Sequence, residues 1–438
     1  MVNSIINARN YALTVQNFAR LCKASQHMKY EVNLPLKRNN LFYKISLPVL
    51  FWIVSGELFM EQEVVTTSVS GSGAIVADAL CSQLKKDPSS YNAVIFFASI
   101  KYDFEDLSRE LHARFPRAEI IGTSTSGEIS PKGFTTGSVV LTTICDSRTK
   151  FSGVLIDGVD KFPIIHKSAI EAAMAKNGIR PNDPESHKKS FAINFVNGLC
   201  NAEEAFLSLF YAIIGNDKFI VAGGSAGDDL KFQQTYVSYN GVTVSDGCAL
   251  MFVTTELKFD IRKENIYKPS GKSIKITDAD TKTRRVITIN GRPAKQEYAD
   301  AIGVPVSQLD NAVLDHPFGR VFGDYIYISS IAGFNPDNTV NMYCRILKDS
   351  DVDLLIPDDW EAMGKNTCKE IKEKITPKFV LFINCILRTI YFGNLKAYEK
   401  ITRMYNENFP VWCGFSSYGE QFGQINSNQT LVSIVIGE

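Results

Sequence analysis

Three short stretches of the chain place small residues, hydroxyls and an acid in the same order. They are Gly122-Thr123-Ser124-Thr125-Ser126-Gly127-Glu128, Ala222-Gly223-Gly224-Ser225-Ala226-Gly227-Asp228 and Gly414-Phe415-Ser416-Ser417-Tyr418-Gly419-Glu420. The first and third read Gly-x4-Gly-Glu; in the second, Ala takes the first Gly position and Asp replaces Glu. Such a loop offers amides and hydroxyls as donors and a carboxylate as acceptor, a set suited to a small polar ligand. A plain tight turn uses the same residues, because Gly permits positive φ and Ser or Thr satisfies turn backbone. The residues put forward as ligand-binding are Gly122, Ser124, Ser126, Gly127, Glu128, Ser225, Gly227, Asp228, Ser416, Tyr418, Gly419 and Glu420.

Arg388 joins them. It follows the strand-like run Phe379-Val380-Leu381-Phe382-Ile383, in a stretch read as a long loop at the same edge as the Gly-acid loops. A guanidinium there could grip a carboxylate through two parallel hydrogen bonds. The alternative is an ion pair with Glu420 or Glu399.

Two other chemistries use single residues. Gly223 to Gly227 matches the G-x-S-x-G elbow of serine hydrolases, with Ser225 as nucleophile. That motif needs a helix directly after the Ser, whereas Asp228-Asp229-Leu230-Lys231 leads toward a strand at 235–239 and an Asn240-Gly241 turn. No catalytic residue is therefore assigned. His316 could be the axial ligand of a haem, or a turn histidine before Pro317. With five histidines and no cluster at metal-ligand spacing, a metal held by protein side chains is not expected.

The elements around the loops repeat as well. Upstream of each lies an apolar run, Ala93 to Phe97, Phe191 to Val196 and Phe379 to Ile383, and a helix follows each. Asp103 and Asn201 read as helix caps with an acid three residues on. In the third copy Asn394 reads as the cap, with Leu395, Tyr398 and Ile401 as the apolar face. A further strand comes after each loop, at Val139 to Ile144, Cys248 to Thr254 and Thr430 to Ile436. The unit strand, helix, strand, Gly-rich loop, strand predicts parallel right-handed crossovers, with the loops at the carboxyl ends of strands where open sheets bind ligands. The fold class is α/β in the mixed α+β sense: a layered sandwich of mixed sheets built from repeated units. Between the second and third copies, Pro269-Ser270-Gly271-Lys272 and Asn290-Gly291 read as hairpin turns, and helices are expected from Pro293 to Gly303 and from Trp360 to Ile375.

Composition narrows the class. The chain has 438 residues, 45% hydrophobic, with Lys+Arg and Asp+Glu equal at 47 each, so no net charge favours nucleic acid or a membrane surface. Nine cysteines without a CxxC pair read as reduced thiols of a cytoplasmic protein. Residues 1–59 resemble nothing that follows and are read as an N-terminal extension. The apolar run Leu47 to Phe59 is short for a spanning helix, and a membrane anchor is the alternative.

With these residues in place, the chain resembles the FIST family, sensory domains of bacterial signal transduction. A FIST N-like part, 60–290, rests on Ile120 to Glu128, Val139-Val140-Leu141 and Ala222 to Asp229. A FIST C-like part, 291–438, rests on Cys385 to Arg388, Glu399, Gly414 to Glu420 and Asn428-Gln429-Thr430-Leu431. The resemblance implies a non-catalytic protein that senses a small ligand, with amino acids as candidates. A haem-bound nitric-oxide sensor is the first alternative and a serine hydrolase the second. It also implies output through a separate signalling protein, such as a histidine kinase or a cyclic-dinucleotide enzyme.

Overall fold

Strands of almost unbroken apolar sequence stand at the middle of three six-stranded sheets: Ala93–Ser99, Ser190–Val196 and Pro377–Cys385. A strand covered on both faces gains nothing from alternation, and the first two are buried at every position. Each runs parallel to the strand carrying its loop, Glu119–Thr125, Val221–Ser225 or Trp412–Ser417. Helices make the crossovers that parallel pairing requires: Phe104–Arg114, Glu203–Ile214 and, in the third repeat, Ile386–Asn394 with Tyr398–Asn408. The strands after the loops, Val139–Cys145, Cys248–Thr255 and Thr430–Gly437, return antiparallel along the other side. Glu61–Thr67, Thr149–Ile156 and Lys258–Asn265 then close the edges. The mixed α/β class read from the sequence is the one found.

The sheets are completed by exchange. After its loop, each repeat forms a short hairpin that pairs with the loop strand of a different repeat. The hairpin Glu128–Ser130 and Gly133–Thr135 of the first repeat joins the third repeat's sheet. Glu420–Phe422 and Ile425–Ser427 of the third join the second, and Val237–Tyr239 with Val242–Val244 of the second joins the first. The cycle closes, so the three repeats form a ring with threefold pseudosymmetry. Phe97, Phe195 and Phe415, one from each repeat, meet with ring centroids 4.7–5.8 Å apart. Contacts of this kind add about 0.5–1.5 kcal/mol per pair beyond the area they bury.

This computed structural model describes residues 31–34, 43–46 and 60–438 apart from 160, 162, 323 and 324. The chain divides into two compact units, Met1–Met60 and Glu61–Glu438. In the first, Glu31–Leu34 pairs antiparallel with Tyr43–Ser46, and the apolar run 47–59 lies outside the described residues. No helix among the described residues is long and apolar enough to cross a membrane. Removing residues 1–59 is expected to leave the melting temperature within about 2 °C, a shift that corresponds to roughly 1–2 kcal/mol for a domain of this size. A calorimetric scan of the truncated chain checks this, and aggregation or a larger shift refutes it.

Several local expectations change. Asp103 does cap its helix, accepting from the Asp106 amide at 3.0 Å. Asn201 does not cap: it adopts φ 54°, and the helix starts one residue past Ala202. The long loop around Arg388 is the helix Ile386–Asn394, and the next helix is capped at Ala397 rather than Asn394. Pro269 to Lys272 is no hairpin turn but a register shift within the long strand Tyr267–Asp280. Asn290-Gly291 is the expected hairpin, with φ of 51° and 76°. The residues between the second and third copies build an eight-stranded sheet with its own core around Ile276, Tyr298 and Phe318. This insertion sits between Lys258–Asn265 and the helix Trp360–Lys374.

Candidate ligand site at the junction of three loops

The hairpin exchange brings the three loops together and laces them by backbone hydrogen bonds. The Ser126 amide donates to the Ser416 carbonyl and the Ser416 amide to the Gly127 carbonyl, at 3.1 and 2.8 Å. Likewise Ser225 donates to Gly419, Tyr418 to Ser225 and Gly227 to Ser124, at 2.8–3.0 Å. The first glycine of each Gly-x4-Gly-Glu copy is not a turn residue. Gly122 and Gly414 lie inside strands opposite Phe96 and Phe382, and a Cβ on either would stand 2.1 Å from that neighbour. The second glycine does serve a turn at Gly127, where φ is 127°.

The acids of the first and third loops do the same job. Glu128 is fully buried and accepts from the Thr125 hydroxyl, the Ser138 hydroxyl at 2.6 Å and the Ser138 amide at 3.1 Å. Glu420 accepts from the Ser417 hydroxyl at 2.6 Å and from the Thr430 hydroxyl and amide at 2.8 and 3.2 Å. In each case the carboxylate ties its own loop to the start of the next strand. Burial pushes both carboxyls up to about 7, against the pull of these donors.

The second loop breaks the pattern. Asp228 is one methylene shorter and takes the amides of Phe232, Gln233 and Gln234 at 2.9, 2.6 and 3.0 Å, together with the Tyr418 hydroxyl. Ser225 donates instead to Glu203, at 2.8 Å, and Glu203 is held by Arg284 from the insertion at 2.6 Å. Ser225 is wholly buried and no helix follows it. The chain after Asp228 carries three non-glycine residues with positive φ, Asp229, Leu230 and Phe232. Such backbone costs about 1–3 kcal/mol per residue and persists where the surroundings demand it. Phe232 is half exposed and stacks on Tyr418 at 5.1 Å. Asp229 receives the Ser99 hydroxyl on one oxygen, at 2.7 Å, while its Oδ1 is buried with no partner. Ser126 accepts the Leu230 amide at 3.4 Å, and Ser124 donates to the Gly227 carbonyl at 2.7 Å.

Arg388 pairs with neither Glu420 nor Glu399. It is 2% exposed and bonds Glu264 at 2.6 Å and Asn384 at 3.0 Å. Its Nη1 and the Glu264 Oε2 are buried and unpartnered. Its helix neighbour Thr389 reaches the Ser416 hydroxyl at 2.7 Å. His316 serves through its backbone carbonyl, which accepts from Tyr298 at 2.8 Å. Among the described residues no group of three His, Cys, Asp or Glu could hold a metal. Asp229, Phe232, Glu203 and Arg284 were not among the candidates read from the sequence. The Asp228-Asp229 doublet was the available signal for the first; no local pattern marks the others.

A ring of exchanged hairpins around laced polar loops defines a mixed α/β protein built to present a polar junction. Family models for the FIST N domain and the FIST C domain match residues 92–292 and 294–423, and the chain belongs to the FIST family. FIST domains are sensory domains of signal transduction. An uncharacterised protein of Methanocaldococcus jannaschii is 26% identical over 379 residues, covering 77% of this chain and 71% of that protein. Among solved structures, a cyanuric acid hydrolase from A. caulinodans aligns over 87% of this chain and all of its own, at 7% identity and a TM-score of 0.34. Another structure of a cyanuric acid hydrolase aligns over 47% of this chain and 72% of its own, at 8% identity and 0.27. Likeness at that level carries no argument about activity.

Proposed function

We propose that the protein is a non-catalytic sensor whose ligand is a small molecule with an ammonium group, an amino acid by preference, bound where the second loop departs from the other two. The observation that carries this is the break itself. What holds the ring together should recur from repeat to repeat; Glu128 and Glu420 recur with matching partners, while the strained segment after Asp228 occurs once. A buried carboxylate oxygen with no donor is costly, of the order of 1–3 kcal/mol, and Asp229 Oδ1 is such an atom. A ligand ammonium would satisfy it, with the Ser126 hydroxyl beside it and the Phe232–Tyr418 pair closing over. Gly122, Gly127, Gly227, Gly419, Glu128, Asp228, Glu420, Ser124, Ser225 and Ser416 then shape and tie the loops rather than touch the ligand. Output passes through a separate signalling protein.

The test is a thermal-shift panel of the L-amino acids on the full chain. A ligand at 100 times its dissociation constant stabilises by about 2.7 kcal/mol. The expected result is a hit that is lost in Asp229→Asn while the unliganded melting temperature stays put. A panel with no hit, or a hit that Asp229→Asn retains, overturns the assignment.

A further inference from the structure

Away from the loop junction, a lysine is held under conditions that suit a nucleophile. Lys263 lies on the edge strand Lys258–Asn265 of the third repeat. Its Nζ stands 3.8 Å from the centroid of the Tyr327 ring and 5.9 Å from that of Tyr325, and donates to the Ile326 carbonyl. Those residues belong to the hairpin Phe318–Phe322 and Tyr325–Ser329 of the insertion. Arg320 is the register partner of Tyr327 and so projects from the same face of that hairpin. No carboxylate among the described residues forms an ion pair with either cation, and the Arg320 Nε is buried with no partner. At the outer end of the same face, Phe322 and Tyr325 are 59% and 50% exposed.

Two cations set together, with no carboxylate among the described residues paired to either, are unfavourable for each other, and the arrangement persists only if one is easily discharged or an anion sits between them. A lysine desolvated against apolar surface and beside a second cation is a recognised way to make a free amine at neutral pH. Burial and the Arg320 charge lower the Lys263 ammonium from 10.5 to about 7.

We propose that Lys263 and Arg320 form a reversible attachment site for a small oxo acid: Arg320 faces the carboxylate, and the Lys263 amine condenses with the carbonyl carbon. The nitrogen lone pair adds to the carbonyl to give a carbinolamine. Uptake of one proton and departure of one water leave a protonated imine. No oxidant or reductant is needed, and the iminium keeps the positive charge that the ammonium would have had, now next to a bound anion. Tyr325 and Tyr327 flank the adduct and limit water access to it. The site is independent of the loop junction and does not require a catalytic function, since a reversible imine is itself a binding event.

The experiment is reductive trapping on the full-length protein. Glyoxylate is the probe and cyanoborohydride reduces any imine to a stable secondary amine, which peptide mass mapping then locates. At pH 7 an amine of pKa about 7 is about half in its free form, against less than one in a thousand for an ordinary lysine of 10.5. Lys263 is therefore expected to carry most of the label at low reagent concentration, with propionaldehyde, which lacks the anion, labelling it less. Arg320→Met should cut the glyoxylate label at Lys263 severalfold and leave propionaldehyde labelling unchanged or raised. Label spread over exposed lysines with little at Lys263 overturns the proposal. Equal labelling by the two probes, or by wild type and Arg320→Met, overturns the assignment of the anion to Arg320.

Discussion

Arg388→Ala is expected to lower the stability of the unliganded protein by about 3–5 kcal/mol, the usual cost of removing one partner from a buried ion pair. Glu264 would be left in the core with its remaining charge uncompensated, near Tyr405 and Cys368, at 7% exposure. The Phe392 ring, 5.0 Å from the guanidinium carbon, would lose its cation. Urea unfolding of the two proteins measures the difference. Glu264→Gln in the same background should recover part of the loss, because a neutral amide is cheaper to bury alone than a carboxylate. A recovery in the double variant identifies the pair as the fastener of the third repeat. If Arg388→Ala were instead nearly as stable as wild type but blind to its ligand, the guanidinium would belong to the binding site. That outcome would return the ligand's carboxylate to Arg388, where its unpartnered Nη1 has room in the hydrogen-bond count if not in exposure.

The Arg388 environment also shows what a sequence can and cannot carry. The three central strands are legible because burial on both faces writes them as continuous apolar runs, and the Gly-acid loops are legible because close strand approach and one positive φ demand glycine. Cys385-Ile386-Leu387-Arg388 reads as a loop after the strand, with no cap residue to announce a helix, so the helix Ile386–Asn394 is hidden, and with it the burial of Arg388. Glu264 stands next to the end of a strand more than a hundred residues upstream, and no local period announces that pairing. The hairpin exchange is invisible for a related reason. Its strands are three residues long, too short for a period, and Glu420–Phe422 pairs with residues nearly two hundred positions earlier. The roles of Glu128 and Glu420 left a trace nonetheless. Each finds its outer hydroxyl partner ten residues downstream, at Ser138 and Thr430. That spacing, present in both copies, would have marked these acids as loop fasteners. Asp228 has Ser238 at the same spacing but bonds the amides of Phe232, Gln233 and Gln234 and the Tyr418 hydroxyl instead, so the spacing alone does not show that the second loop differs.

Those two fasteners make the second large prediction, a stability that falls as pH rises through the neutral range. In the folded chain Glu128 and Glu420 hold their protons up to about 7, against 4.5 for an ordinary glutamic acid. Below pH 4.5 folded and unfolded states are both protonated at these sites, and the contribution is fully present. Between 4.5 and 7 the unfolded chain releases protons that the folded chain keeps, so each rise in pH favours unfolding; above 7 the contribution is gone. The shift corresponds to roughly 3 kcal/mol per group over that window. The neutral form fits the site because the Thr125 or Ser417 hydroxyl can turn from donor to acceptor for the carboxyl proton. Glu128→Gln and Glu420→Gln fix the neutral state, and the double variant should gain on wild type as pH rises from 5 to 8. Measuring both by urea unfolding at those two pH values cancels the titration of every other group. A difference between wild type and variant that stays constant from pH 5 to 8 would show that both glutamates are ionised throughout, with three donors each outweighing the cost of burying the charge.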